Sequence, residues 1–363
     1  MDHITGRLSA HVRALSAVLP VGLAKRHRGN PAAALRVHNI YATPVLFLGL
    51  ASLVLNRSEI SLLDHHLKTT AQQLQKLMKR TPQCIVCFLG GLLPGTAVLH
   101  LRQLTLFGMV TRMKNSIIYH HGLHTLISAK PSAGSWFQQI RNLCVQYNLP
   151  HPISLLKEPL TKYQYNRLVK ASVTDHWEAK LRGLASELTS APFFRPAFMS
   201  LTHPHPLWSA CSSNPYECHK AVITARMLSG RYLTDQLQRH WSGNIDGHCL
   251  LPNCSPPGTL GSLEHLLLHC PVLRETRAKL LNLCTRISNK NHVVADIVSS
   301  VFSGRDSHQI MQLLLDCSTM PVVISAVQTF GIDIRDTILY LGRTWCYNIH
   351  RERMNQLGLL DFR

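Results

Sequence analysis

Apolar residues recur along this chain at intervals of three and four, and no stretch sustains strict alternation, so the pattern predicts a mainly α fold. Leu8, Val12, Leu15 and Leu19 mark one side of a first helix that Pro20 ends. A basic, Gly-bearing loop follows over 21–30. Pro31 then opens a second helix, with Ala32 to Leu35 as strong helix formers, and Pro44 is placed to break or kink it. Ser58 is positioned to cap a long helix whose inner side carries Ile60, Leu63, Leu67, Leu74 and Leu77, with Thr81-Pro82 as its stop. One or two helices occupy 95–128. Ser135 caps another that holds Trp136, Ile140, Leu143 and Tyr147, and a long amphipathic helix over 161–188 turns Leu168, Val169, Trp177, Leu181 and Leu184 inward. Pro192, Pro196, Pro204, Pro206 and Pro215 punctuate a loop-rich linker over 190–216. A helix over 217–238 comes next, and further helices are expected near 272–288, 291–302, 306–317 and 333–356.

A length of 363 residues suggests two or three domains, and 45% hydrophobic with 16% charged residues is enough to build a core. The apolar run 45–55 is too short to span a membrane, and the run 84–101 is interrupted by Gly90-Gly91 and Pro94, so both read as core helices and no membrane partner is expected. Net charge changes the picture more. With 38 basic and 19 acidic residues the chain carries +19, which favours a polyanionic partner, RNA or DNA. No acidic residue lies between Asp2 and Glu59, while Lys25, Arg26 and Arg28 cluster on the Gly-flanked loop. Eleven cysteines are too few for a disulfide scaffold of this size, and the start has no clean apolar signal segment, although its acid-poor, Arg-bearing composition is shared with transit peptides. Free or metal-bound thiols in a reducing compartment, nuclear or cytoplasmic, are therefore expected.

The most specific chemistry is a Cys-x4-Cys-x10-His-x4-Cys string formed by Cys249, Cys254, His265 and Cys270. Two close ligands, a turn-rich spacer and two more close ligands suit one structural Zn²⁺, and three thiolates with one imidazole leave no open catalytic position. His265 and His269 share a helical face, so His269 stands in reserve, whereas Cys270 at i+5 falls some 140° away on an ideal helix. Pro271 should push Cys270 out of the helical region, letting a frayed last turn swing its sulfur back. Arg274, Arg277 and Lys279 follow, with the two arginines on one helical face suited to phosphates. Cys84-Ile-Val-Cys87 lies in an apolar run without a second pair and reads as core cysteine. No His-Glu-x-x-His string accompanies the ligands, which excludes that class of zinc hydrolase.

The segment from Cys249 through Glu264-His265 and Cys270-Pro-Val-Leu-Arg-Glu-Thr-Arg277 resembles the zinc-binding segment that follows the polymerase domain in LINE-type (non-LTR) retrotransposon reverse transcriptases. Asn39-Ile-Tyr-Ala-Thr-Pro-Val-Leu-Phe-Leu-Gly49 resembles their thumb segment, and Leu89-Gly-Gly-Leu-Leu-Pro94 their Leu-Leu-Gly-x-x-Pro. Ser135-Trp136-Phe137 with Tyr147-Asn-Leu-Pro150 resembles the connector between thumb and knuckle. The resemblance implies a thumb-like helical region over 1–128, a helical connector over 129–240, a zinc-binding domain over 241–288 and a helical tail over 289–363. The chain departs from the family in lacking any Asp-Asp dipeptide. Two-metal polymerisation needs such paired carboxylates, so no polymerase activity is expected. Asp333-Ile-Arg-Asp336 reads as a helix start. The resemblance therefore implies a nucleic-acid-binding C-terminal part without a palm. The alternative is a helical interaction or scaffold module whose zinc only holds the fold. If the first helix lacked a natural partner, Leu8, Val12 and Leu15 would form an exposed stripe.

Overall fold

The computed structural model describes residues 2–18, 29–128, 134–212, 214–242, 246–254, 256–288 and 291–359. Every regular element among them is helical, and the one β contact is an isolated bridge between His248 and Leu260. The fold is thus mainly α. Two apolar cores organise it. A small one gathers Ile4, Leu46, Phe47, Leu50, Leu63 and Leu99 beneath the first helix, Asp2–Val18. A large one runs without a break from Ala34 to Ile349.

Helix boundaries follow local chemistry, with some shifts from expectation. The first helix buries Ile4 and His11, with Leu8 and Leu15 half-buried; Val12 points outward, so no continuous apolar stripe is exposed. Pro44 does not break the chain's second helical run. Pro31–Val37 passes through a π-turn, His38–Ala42, into Thr43–Phe47, and Thr43 N–H bonds the carbonyl of His38. The wider turn takes up the missing N–H and ring bulk of Pro44 within a helical path. Asn56, not Ser58, caps the helix Arg57–Leu74: its side chain accepts from Glu59 N–H while Glu59 bonds Asn56 N–H, and Ser58 donates its hydroxyl to Asn56. That helix stops at Leu74, short of Thr81-Pro82, and Lys76 takes a φ of 56°. Ser135 caps Trp136–Gln146 as expected, and Thr161 caps Lys162–Ser186, although Leu184 is exposed.

The apolar run 84–101 forms Gln83–Gly90 and Gly95–Val110, bent by 61°, and Cys84 and Cys87 are buried in the core. No single helix among the described residues is long and apolar enough to cross a membrane. Among its described residues the proline-rich stretch 190–216 holds short 3₁₀ turns before the helix that opens at Pro215, and it is packed, with Phe194, Leu201, Leu207 and Trp208 buried and Trp208 Nε1–H donating to the carbonyl of Leu89. The helix expected over 217–238 is two, Pro215–Leu228 and Asp235–Ser242. Gly230 separates them with a φ of 64°, and a Cβ there would meet the Ser190 carbonyl.

After the metal-ligand string come Arg274–Ser288, His292–Ser303, Ser307–Asp316, an additional Pro321–Phe330 and the last helix, Asp333–Gln356. The last helix is the spine of this half. It packs on Pro215–Leu228, Arg274–Ser288, Ser307–Asp316 and Pro321–Phe330, with Trp345, Cys346 and Ile349 buried. Its crossing with Ser307–Asp316 is close enough that a Cβ on Gly342 would lie 2.2 Å from the Leu314 carbonyl oxygen. Gly342→Ala must therefore push two packed helices apart. It is expected to lower stability by about 1–3 kcal/mol in a denaturant melt, the usual cost of overpacking.

Candidate metal centre

The ligand segment is shaped by backbone bonds before any side chain is considered. Cys249 N–H bonds the carbonyl of Thr259 (2.8 Å) and Gly261 N–H that of Gly247 (2.9 Å), so residues 259–261 run back beside 247–249. Between the first two ligands, Cys254 N–H bonds the Leu251 carbonyl (3.2 Å), with Asn253 in the left-handed region at a φ of 63°. Leu251 is buried and anchors this turn. Ser262 then caps the next helical turn by accepting from His265 N–H (3.1 Å).

That turn, His265–His269, is π-helical, and Cys270 N–H bonds the His265 carbonyl at 2.7 Å. This is the physical answer to the i+5 problem. A frayed α-turn is not what brings Cys270 round; an i→i+5 hydrogen bond stacks residue 270 over residue 265, as a π-turn must. Pro271 acts as expected, holding Cys270 at φ −57°, ψ 118°, outside the helical region.

Cys249, Cys254, His265 and Cys270 converge, with their ligand atoms all within 4.8 Å of one another. Cys254 Sγ lies 3.4 Å from His265 Nε2 and 3.9 Å from Cys270 Sγ. A tetrahedron with metal–sulfur bonds of about 2.3 Å and a metal–nitrogen bond of about 2.0 Å has edges of about 3.8 Å between sulfurs and about 3.5 Å between sulfur and nitrogen. These two distances match those edges, so the cluster could hold one metal ion. Its acid–base state points the same way. A hydrogen bond from the Cys249 thiol holds Cys270 down at about 5 and Cys249 correspondingly up, while burial raises Cys254. Crowded thiols that share protons are a site a cation would relieve. His269 is not among the ligands: it is exposed, 3.4 Å from Glu264 Oε1 and 3.3 Å from Ser307 Oγ.

Distant elements fix the cluster in place. Trp345 Nε1–H donates to the Leu267 carbonyl (3.2 Å), and Leu266, Leu267 and Leu273 are buried. Asp235 Oδ2 accepts from Leu250 N–H (3.2 Å), next to the first ligand, while Asp235 Oδ1 pairs with Arg353 Nη2 at 2.7 Å, both side chains almost wholly buried. Arg353 also donates to the Leu233 carbonyl (2.7 Å). Sequence reasoning missed Asp235 and Arg353. Asp235 falls inside the helix expected over 217–238 and Arg353 near the end of the one expected over 333–356, and nothing local ties either to the ligands.

The residues expected to contact nucleic acid separate into three groups. Lys25, Arg26 and Arg28 lie outside the described residues. Arg274 and Lys279 are exposed on the helix that leaves the centre. Arg277 is half-buried and donates to the Cys270 carbonyl at 2.5 Å, so its guanidinium braces the knuckle. Cys84 and Cys87 are held as thiols by burial, which raises both.

His265→Ala is expected to abolish metal binding and His269→Ala to leave one metal per chain, as read by elemental analysis of the purified variants. Loss of metal in the His269 variant would move the ligand set. No family model, curated protein or solved structure matches this chain.

Proposed function

We propose that this chain is a nucleic-acid-binding module whose Cys249, Cys254, His265 and Cys270 hold a structural Zn²⁺. Three thiolates and one imidazole brought within 4.8 Å of one another are the donor set zinc prefers, and four protein ligands leave no position for substrate. The observation that carries the nucleic-acid reading is charge: +19 over the chain, with Arg274 and Lys279 exposed on the helix that begins beside the metal centre. The sequence resemblance to the region beyond the polymerase domain of LINE-type reverse transcriptases supports the same partner class, RNA or DNA. Binding without polymerisation is the activity this reading assigns, because the paired aspartates are absent from the sequence.

A helical interaction module is the second reading. It is favoured by large apolar side chains left in solvent, among them Ile117 (87% exposed), Ile127 (64%) and Val145 (76%). Salt separates the two readings. If six to ten phosphates are neutralised, affinity for an oligonucleotide falls about 10³–10⁵-fold between 50 and 200 mM salt. The slope should decrease by about one for each phosphate contact removed, so Arg274→Gln with Lys279→Gln should lower it by about two. A flat salt response in a titration with single-stranded RNA and duplex DNA contradicts nucleic-acid binding and favours the interaction module.

A further inference from the structure

Three histidines far apart in sequence form a hydrogen-bonded chain at the base of the first helix. His66 Nε2 lies 2.9 Å from His11 Nδ1, and His11 Nε2 lies 2.9 Å from His38 Nε2. His38 Nδ1 continues to Asn39 Oδ1 (3.2 Å), with Thr43 Oγ1 at 3.4 Å. Each histidine comes from a different element: Asp2–Val18, the π-turn His38–Ala42, and Arg57–Leu74. The first helix packs chiefly on these elements and on Thr43–Phe47. His11 and His38 are buried, and His66 is half-buried.

The chain has one direction. Asn39 Oδ1 only accepts, so His38 Nδ1 carries a proton and its Nε2 accepts from His11 Nε2–H. His11 Nδ1 then accepts from His66 Nε2–H. One proton occupies each gap, and all three imidazoles are neutral. With a first extra proton the tautomers shift along the chain, each gap keeps one proton and His66 Nδ1 becomes protonated; a second, on His11 or His38, sets two N–H groups against each other across a 2.9 Å gap. An extra proton on His66 enters at Nδ1, outside the chain. The rings cannot share one metal ion, because His11 uses opposite nitrogens for its two neighbours.

We propose that the His66–His11–His38 chain is a pH-sensitive latch. It holds the first helix at neutral pH and releases it on acidification, uncovering the apolar floor of Leu46, Phe47 and Leu50. The charged surroundings agree. Burial is the main cause that lowers His11 to about 3 and His38 to about 4, with repulsion from His66 adding to both and from His38 adding to His11. Burial lowers His66 as well, with repulsion from His65 adding to it. Asp64, on the same helix, is turned away and accepts from Thr96 N–H and its hydroxyl. Arg7, on the first helix, reaches towards Gly49, and Arg13 is exposed. Asn39 and Thr43 are uncharged.

The sign follows from these shifts. A histidine free in the released state titrates near 6.5, whereas docked His11 and His38 stay neutral to about 4 or below. Docking therefore holds its full strength above about pH 6.5 and weakens progressively as pH falls towards the docked values. Between pH 7 and pH 5 the equilibrium for releasing the helix rises about 25-fold per inner histidine, or about 500-fold for both.

Hydrogen exchange on the full chain, normalised to intrinsic rates, tests this. Amides of the first helix should lose about 500-fold protection between pH 7 and pH 5, while amides of the last helix, Asp333–Gln356, keep theirs. Unchanged protection in the first helix, or equal loss in both, overturns the latch. His11→Phe fills the buried space with a ring that cannot titrate and should cut the loss of protection from about 500-fold to about 25-fold. Because that variant can undock at every pH, the wild-type histidine ring signals are followed by NMR as well. Two rings should remain neutral until the first helix opens. If all rings titrate near 6.5 while it stays docked, the latch does not exist.

Discussion

The hydrogen bond from Cys270 N–H to the His265 carbonyl is the constraint on which the metal centre depends. In an α-helix the fourth ligand would face away from the third. The π-turn closes with one additional residue and places both ligands over the same point. Everything else in the segment prepares for that register. Ser262 starts the turn, Pro271 ends it, and Arg277 ties down the Cys270 carbonyl from the following helix. With the register set, Leu266 and Leu267 fall on the buried side against the last helix, and Trp345 donates its Nε1–H to the Leu267 carbonyl.

The same helix reaches the other half of the ligand set through a buried ion pair. Arg353 meets Asp235, whose second oxygen holds Leu250 N–H beside Cys249. Such a pair contributes little net stability against an apolar substitute, but losing one partner leaves the other charge buried and costs about 3–5 kcal/mol. Its role here is positional, since a carboxylate with both oxygens engaged fixes where the first ligand loop sits. The metal centre and the C-terminal helices are thereby one mechanical unit, with the exposed Arg274 and Lys279 on a helix whose start the centre sets.

What could be read from the sequence was what is local in it. The four ligands are close enough in sequence for their spacing to name them, and proline marks Cys270 as extended. Helix periodicity located most elements, because burial repeats along each one. The misses arise where a decision is made at a distance or by one hydrogen bond. Ser58 and Asn56 are both good caps, and only the reciprocal bond with Glu59 selects Asn56. A π-turn shifts bonding by a single residue and leaves no compositional trace, at 38–42 as at 265–269. Asp235 and Arg353 meet across 118 residues, and His11 and His66 across 55, so neither contact has a local signature.

The proposed occupant of the cluster is one Zn²⁺ held by three sulfurs and one imidazole nitrogen. X-ray absorption at the zinc edge of the purified chain tests it directly. A four-ligand shell of three sulfurs at about 2.3 Å and one nitrogen at about 2.0 Å is expected. A shell of oxygen and nitrogen, a second histidine in place of a sulfur, or protein that takes up no zinc would contradict it.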